Sequence, residues 1–206
     1  MTSKNVGGIG AILIIVGPLI GVVFSWAGLL SLVGIIMVLV AFKGLADYYN
    51  ESGIFNNALY GFITTIVGGI AFVGVLIASV LMALTDLFEG LDWTNLEDWT
   101  TTFSESLLDP SAILNLLGAI IIAFIVLFIV IVISALFYRR SFNLTASESG
   151  VGMFGTAGLI LLIGAILSIV LVGFIICWVA IILLAVAFFS LKPKTESPPT
   201  PEPSPV

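Results

Sequence analysis

The segment AFKGLADYYNESGIFNNALYGF, Ala41 to Phe62, gathers a lysine, two acids, three asparagines and three tyrosines inside an otherwise very apolar chain. Lys43, Asp47, Tyr49, Asn56, Asn57 and Tyr60 could form a small polar pocket for a lipid headgroup or a docking partner. The chemistry of that set is ion pairing and hydrogen bonding. Each residue also has a plainer use. Lys43 suits the carboxyl end of a helix and could pair with Asp47 one turn on. Tyr48, Tyr49 and Tyr60 have the amphipathic form of membrane-interface anchors. Asn50, Ser52 or Asn56 could cap the next helix.

Other chemistry is largely excluded by residue type, so no catalytic, metal-binding or cofactor-binding residue is expected. The chain has no histidine and a single cysteine, Cys177, inside an apolar tract. A zinc or haem site would lack its usual ligands, and no intramolecular disulfide can form. Coupled transport usually relies on an ionisable group facing the interior of a bundle, and none lies within a predicted crossing. The glycines of GGIG, Gly7 to Gly10, lack the lysine and hydroxyl of a phosphate loop. No basic cluster suggests a nucleic-acid surface. The sequons Asn50-Glu51-Ser52 and Asn143-Leu144-Thr145 fall on the side predicted to be cytoplasmic, where they would stay unused.

The elements that must position the polar segment are membrane helices. With 60% hydrophobic and 9% charged residues and a mean hydropathy of +1.29, the chain has too little charge to wrap a soluble core of its size. Four tracts lack Asp, Glu, Lys and Arg altogether: Asn5 to Phe42, Ile54 to Thr85, Pro110 to Tyr138 and Val151 to Leu191. The first and last are too long for one crossing of about 30 Å, so each is read as a hairpin. The first turn is placed near Phe24 to Gly28, with Trp26 at headgroup level, and the last near Val172 to Trp178. The result is an all-α, polytopic transmembrane bundle of six spans, residues 8–24, 28–45, 59–84, 111–138, 151–171 and 174–191.

Charge supplies an independent check. Six spans put all six basic residues, Lys4, Lys43, Arg139, Arg140, Lys192 and Lys194, on one side. The segment after the third span carries Asp86, Glu89, Asp92, Glu97, Asp98, Glu105 and Asp109 with no Lys or Arg, on the other side. By the positive-inside rule both termini are cytoplasmic in the cell membrane. The first hydrophobic tract continues without a break past Ser25-Trp26-Ala27, so signal-peptide cleavage is not expected.

In the outer segment, Trp93, Leu96, Trp99, Phe103 and Leu107 recur at helical steps, and Thr94 with Glu97 has capping-box spacing. An amphipathic helix on the outer surface is predicted, with a lid over a cavity as the alternative. Gly17 and Gly21 on the first span, and Gly28, Ser31 and Gly34 on the second, predict close back-to-back packing of that pair. Pro18 would bend the first helix, and Gly68-Gly69 would be a packing or kink position in the third. ESG occurs at 51–53 and 148–150, and ILIIVGPLI (12–20) aligns with LILLIGAIL (159–167) glycine on glycine, which raises an internal duplication. Residues 192–206, rich in proline, read as a disordered cytoplasmic tail.

Over Leu39 to Ile63, the pattern KGLADYYN followed by IFNNALYGF resembles a mainly archaeal membrane family called domain of unknown function 996. The resemblance implies a multi-spanning architecture and an archaeal source, and it carries over no activity, ligand or catalytic residue. The function expected is a non-catalytic structural or interaction component of the membrane. Its partners would be the lipid bilayer and a membrane protein or second copy, with no nucleic acid. The alternative is a small transporter or channel for neutral or lipid-like solutes, which a continuous polar cavity at Thr64, Ser79 and Asn115 would favour. An enzyme acting on lipid headgroups ranks third.

Overall fold

The computed structural model describes residues 2–21, 23, 24, 26, 28–89, 110–170 and 172–192. Among these residues there are six α-helices: α1 (Thr2–Gly21), α2 (Gly28–Tyr49), α3 (Ser52–Glu89), α4 (Pro110–Ser149), α5 (Met153–Leu167) and α6 (Val172–Phe189). No strand occurs among the described residues. Valine and isoleucine dominate these helices although both are indifferent helix formers in water. Away from water the backbone must satisfy its own polar groups, and that requirement overrides side-chain propensity. All six helical segments are long and apolar enough to cross a membrane, α5 when taken together with the 3₁₀ turn that follows it. The amphipathic helix predicted around Trp93 to Leu107 and the tail beyond Lys192 lie outside the described residues.

Helix ends explain where the structure departs from the predicted spans. α2 runs on to Tyr49 and α3 begins at Ser52, so the polar link is only Asn50 and Glu51. Asn50 takes φ 55°, a left-handed conformation that asparagine tolerates better than most residues. The Glu51 N–H then reaches back to the Ala46 carbonyl at 3.0 Å, the six-to-one bond of a Schellman end. Glu51 also turns its Oε1 to accept the Gly53 N–H at 2.9 Å, placing a carboxylate at the positive end of α3. The cap is therefore Glu51, where Asn50, Ser52 or Asn56 was expected. α4 extends past Arg139 and Arg140 to Ser149 and stops at Gly150, φ 70°, whose N–H bonds the Ala146 carbonyl at 3.0 Å.

The last hairpin turns earlier than predicted. Its break is a 3₁₀ turn at Ser168–Val170, and Val172 to Trp178 is helix. Gly173, inside the segment predicted to turn, is a packing glycine. A methyl group there would collide with Ser168 N and the Gly164 carbonyl, so α5 and α6 approach backbone to backbone. The predicted α1–α2 packing is observed: Gly17 faces Ser31, and Gly10 faces Gly34. α1 runs as one helix through Pro18, and Gly68 seats Val130 of α4.

Each helix packs on the next in sequence, and α1 closes the circle on α6. All six contribute to one core, with Phe42, Ile54, Phe142, Phe154 and Phe188 at its centre. Phe42 stacks on Phe142 at 5.4 Å between centroids and meets Phe188 at 5.3 Å and Phe154 at 6.5 Å. This six-helix tier occupies only part of the length. Near the far end of α5, Leu162 and Ala165 pack with Ala135 and Ile131, so α5 ends close to the middle of α4. Beyond that level, among the described residues, only α3 and α4 continue, for about 20 residues, or about 30 Å. Their side chains there are mostly exposed and apolar, among them Val73, Ile77, Leu81, Leu114, Ile121 and Phe124.

The two sequence repeats fare differently. Glu51-Ser52-Gly53 opens α3, whereas Glu148-Ser149-Gly150 closes α4, so these triplets hold different structural places. Gly17 and Gly164 are equivalent, since each sits near the end of the first helix of a hairpin and admits the second helix closely.

Candidate functional site

The end of the bundle that carries Lys4, Lys43 and Lys192 holds two hollows, one on either side of the last turns of α2. The first, of about 220 Å³, is lined by Lys43, Ala46, Asp47, Asn50, Ser52, Phe55 and Asn56. Helical spacing puts Lys43, Ala46, Asp47 and Asn50 on one face of α2, and the two-residue link folds Ser52, Phe55 and Asn56 of α3 against it. Lys43 Nζ donates to Asp47 Oδ1 at 2.8 Å and lies 5.6 Å from the centre of the Phe55 ring. Both partners of the ion pair are more than half exposed, at 56% and 63%. Such a pair adds only about 0.3–0.5 kcal/mol to a helix, so either group can exchange its partner for a ligand at small cost.

Three of the six residues predicted to form a pocket, Lys43, Asp47 and Asn56, therefore share one hollow, and the other three do not. Asn57 folds back on its own helix, its Nδ2 donating to the Gly53 carbonyl at 2.7 Å. Tyr60 lies against Phe137 of α4 edge to face at 5.8 Å. Tyr49 faces the opposite side of α2 and lines the second hollow.

That second hollow, of about 270 Å³, is bounded by Ser3, Lys4, Gly44, Leu45, Tyr48, Tyr49, Leu191 and Lys192. Lys4 Nζ donates to the Leu191 carbonyl at 3.1 Å, tying the first turn of α1 to the end of α6. Nothing local in the sequence announces this site, because Lys4 and Lys192 are almost a chain length apart. The pairing of α1 with α6 alone brings them together.

The residues that would favour a transport path are placed otherwise. Ser79 Oγ donates to the Val75 carbonyl of its own helix at 2.8 Å, and Asn115 is exposed on the outside of α4. Between α3 and α4 the polar contacts are packing contacts. The Thr65 and Ser134 hydroxyls lie 2.9 and 2.7 Å from the Gly61 carbonyl oxygen and 2.6 Å from each other, so two protons serve three short contacts. No group of three or more His, Cys, Asp or Glu that could hold a metal ion is found among the described residues.

The family described as "Protein of unknown function (DUF996)" matches residues 30–182. An uncharacterized protein of the archaeon Methanocaldococcus jannaschii is 31% identical over 195 residues, covering 95% of this chain and 94% of the relative. No solved structure matches. The family match takes in the polar link, most or all of α2 to α6, and Phe42, Phe142 and Phe154, with α1 and Phe188 outside it, and the chain belongs to the DUF996 family.

Proposed function

We propose that this chain is a multi-pass protein of the cell membrane with a non-catalytic structural or interaction role, its Lys43 end facing the cytoplasm. One observation carries the reading: where all six helices meet, the axis of the bundle is filled by Phe42, Phe142, Phe154 and Phe188, each buried. A solute path through that tier would have to displace four packed aromatic rings. The two hollows are both at the basic end, and neither contains Thr64, Ser79 or Asn115. The clustering of basic residues at that end supports its cytoplasmic placement. The Lys43–Asp47 hollow suits docking, since it presents one cation, one anion and two amides on a rim that is open to solvent.

The test is a liposome swelling assay with glycerol and urea as permeants. The reconstituted protein is expected to leave swelling rates at those of protein-free vesicles. A protein-dependent acceleration, reversed when Phe42 is replaced by tryptophan, would move the assignment to a channel for neutral solutes.

A further inference from the structure

The second hollow has features the first lacks. It is bounded by two lysines, and among the described residues no Asp or Glu lines it, whereas Lys43 in its neighbour is neutralised by Asp47. Of the three N–H donors of the Lys4 ammonium, one is used on the Leu191 carbonyl, which fixes the group in place and leaves two for a ligand. Ser3 and the two tyrosines add hydroxyls. Leu45 and Leu191 with the tyrosine rings make the remaining wall apolar. The first turn of α1 contributes backbone N–H groups with no intrahelical partner. Farther along α1, Ile9 and Ile12 are exposed. A cationic, hydroxyl-bearing seat with an apolar wall, at one end of an apolar bundle, matches a molecule with an anionic head and a hydrocarbon body.

We propose that the hollow between the start of α1 and the end of α6 binds the phosphate of an anionic phospholipid, held between Lys4 and Lys192. The proposal rests on the membrane reading above and extends it to a specific lipid class at a site separate from the Lys43–Asp47 hollow. Inorganic phosphate has the same charged group without the hydrocarbon, so the two sources must be separated by experiment.

The full chain is purified in a mild detergent, and binding of phosphatidylglycerol and of phosphatidylcholine is followed by native mass spectrometry. Wild type is expected to retain one phosphatidylglycerol in preference to phosphatidylcholine. The double variant Lys4→Gln/Lys192→Gln should lose roughly tenfold or more in that binding, given what each lysine near an anionic lipid surface contributes. Arg140→Gln, at a cation that lines neither hollow, should bind as wild type does. Equal binding by the double variant, or an equal loss in Arg140→Gln, overturns the proposal. So does displacement of the lipid by millimolar inorganic phosphate, which would make the site one for the soluble anion. If the double variant loses helicity, wild type is instead crosslinked with a phosphatidylglycerol bearing a photoreactive head. Crosslinks confined to peptides containing Ser3, Tyr48 and Leu191 support the site, and crosslinks spread along the exposed helices refute it. Release of wild type from membranes by alkaline carbonate would defeat the membrane reading itself, a failure distinct from these.

Discussion

Gly10 and Gly34 offer a test of the α1–α2 contact in which the sign of the answer is informative. A methyl group on Gly34 would stand 2.6 Å from the Gly10 carbonyl oxygen and 2.9 Å from Ile14 N. One on Gly10 would stand 2.7 Å from the Gly34 oxygen and 3.0 Å from Val38 N. These obstacles are backbone atoms, and no side-chain rotation relieves them. Restoring an ordinary separation of about 3.5 Å requires the two helices to part by nearly 1 Å. A gap of that size forfeits about a quarter to a half of each facing dispersion contact, in keeping with the roughly 1–3 kcal/mol that overpacking costs. Against a steric cost of about 2 kcal/mol, each Gly→Ala change returns about 0.8–1 kcal/mol of helix propensity.

Gly10→Ala and Gly34→Ala are thus each expected to lose about 1 kcal/mol. In the double variant one separation of the helices accommodates both methyl groups, while the propensity gain is made twice. It should return to within about 0.5 kcal/mol of wild type, a coupling of about 2 kcal/mol between the sites. The assay is reversible unfolding in mixed micelles of increasing dodecyl sulfate fraction, followed by circular dichroism. Gly69→Ala serves as reference, since a methyl group there meets nothing within 4 Å. Additive losses in the double variant, or singles as stable as wild type, would refute a shared backbone contact.

Three further outcomes can be checked with standard measurements. Ser31 Oγ is buried without a hydrogen-bond partner, so Ser31→Ala should raise stability by about 1 kcal/mol in the same micelle titration. Gly150→Ala should lose about 1–2 kcal/mol because a side chain is strained at its φ, whereas Asn50→Gly, at a similar φ, should be neutral or slightly stabilising. In a Cys177→Ala background, an impermeant maleimide should label Ser104→Cys from outside intact cells and reach Ser52→Cys only after permeabilisation; labelling of both from the same side would contradict the assigned topology.

Much of the architecture was legible because its determinants are local and strong. An uncharged apolar tract must be helical where backbone groups cannot reach water, and a tract of nearly forty such residues read as two helices. The spacing of Gly17, Gly28, Ser31 and Gly34 likewise announced the first hairpin, since small residues at helical intervals have few other uses in apolar helices. Helix ends were less legible. Polar residues such as Asn56 and Arg140 look like loop or border residues, yet a helix can carry them outward until a left-handed residue stops it, as Asn50 and Gly150 do. The last turn was misplaced for a related reason, because a uniformly apolar tract from Val151 to Leu191 carries no polar residue cluster to mark where it reverses. At the candidate site, Lys43 and Asp47 were found from one-turn spacing, and Asn56 from proximity across a short link. Asn57 and Tyr60 share that neighbourhood in sequence, but rotation of α3 points them elsewhere. The Lys4 and Lys192 pair depends on tertiary closure of α1 on α6, for which no short-range pattern exists.

The unequal helix lengths have a mechanical consequence in the membrane setting proposed above. α1 and α2, with 20 and 22 residues, match a hydrocarbon layer of about 30 Å, while the uncharged run of α3 from Ile54 to Thr85 would span about 48 Å if upright. No flat bilayer satisfies both. Either the long hairpin leans steeply, or the lipids thicken along its flank and thin beside the short helices. Such hydrophobic mismatch costs fractions of a kcal/mol per ångström and sorts proteins among membranes by thickness. Lateral position in the membrane thus becomes a property of the α3–α4 hairpin, and shortening that hairpin by two turns should redistribute the protein without touching its aromatic core.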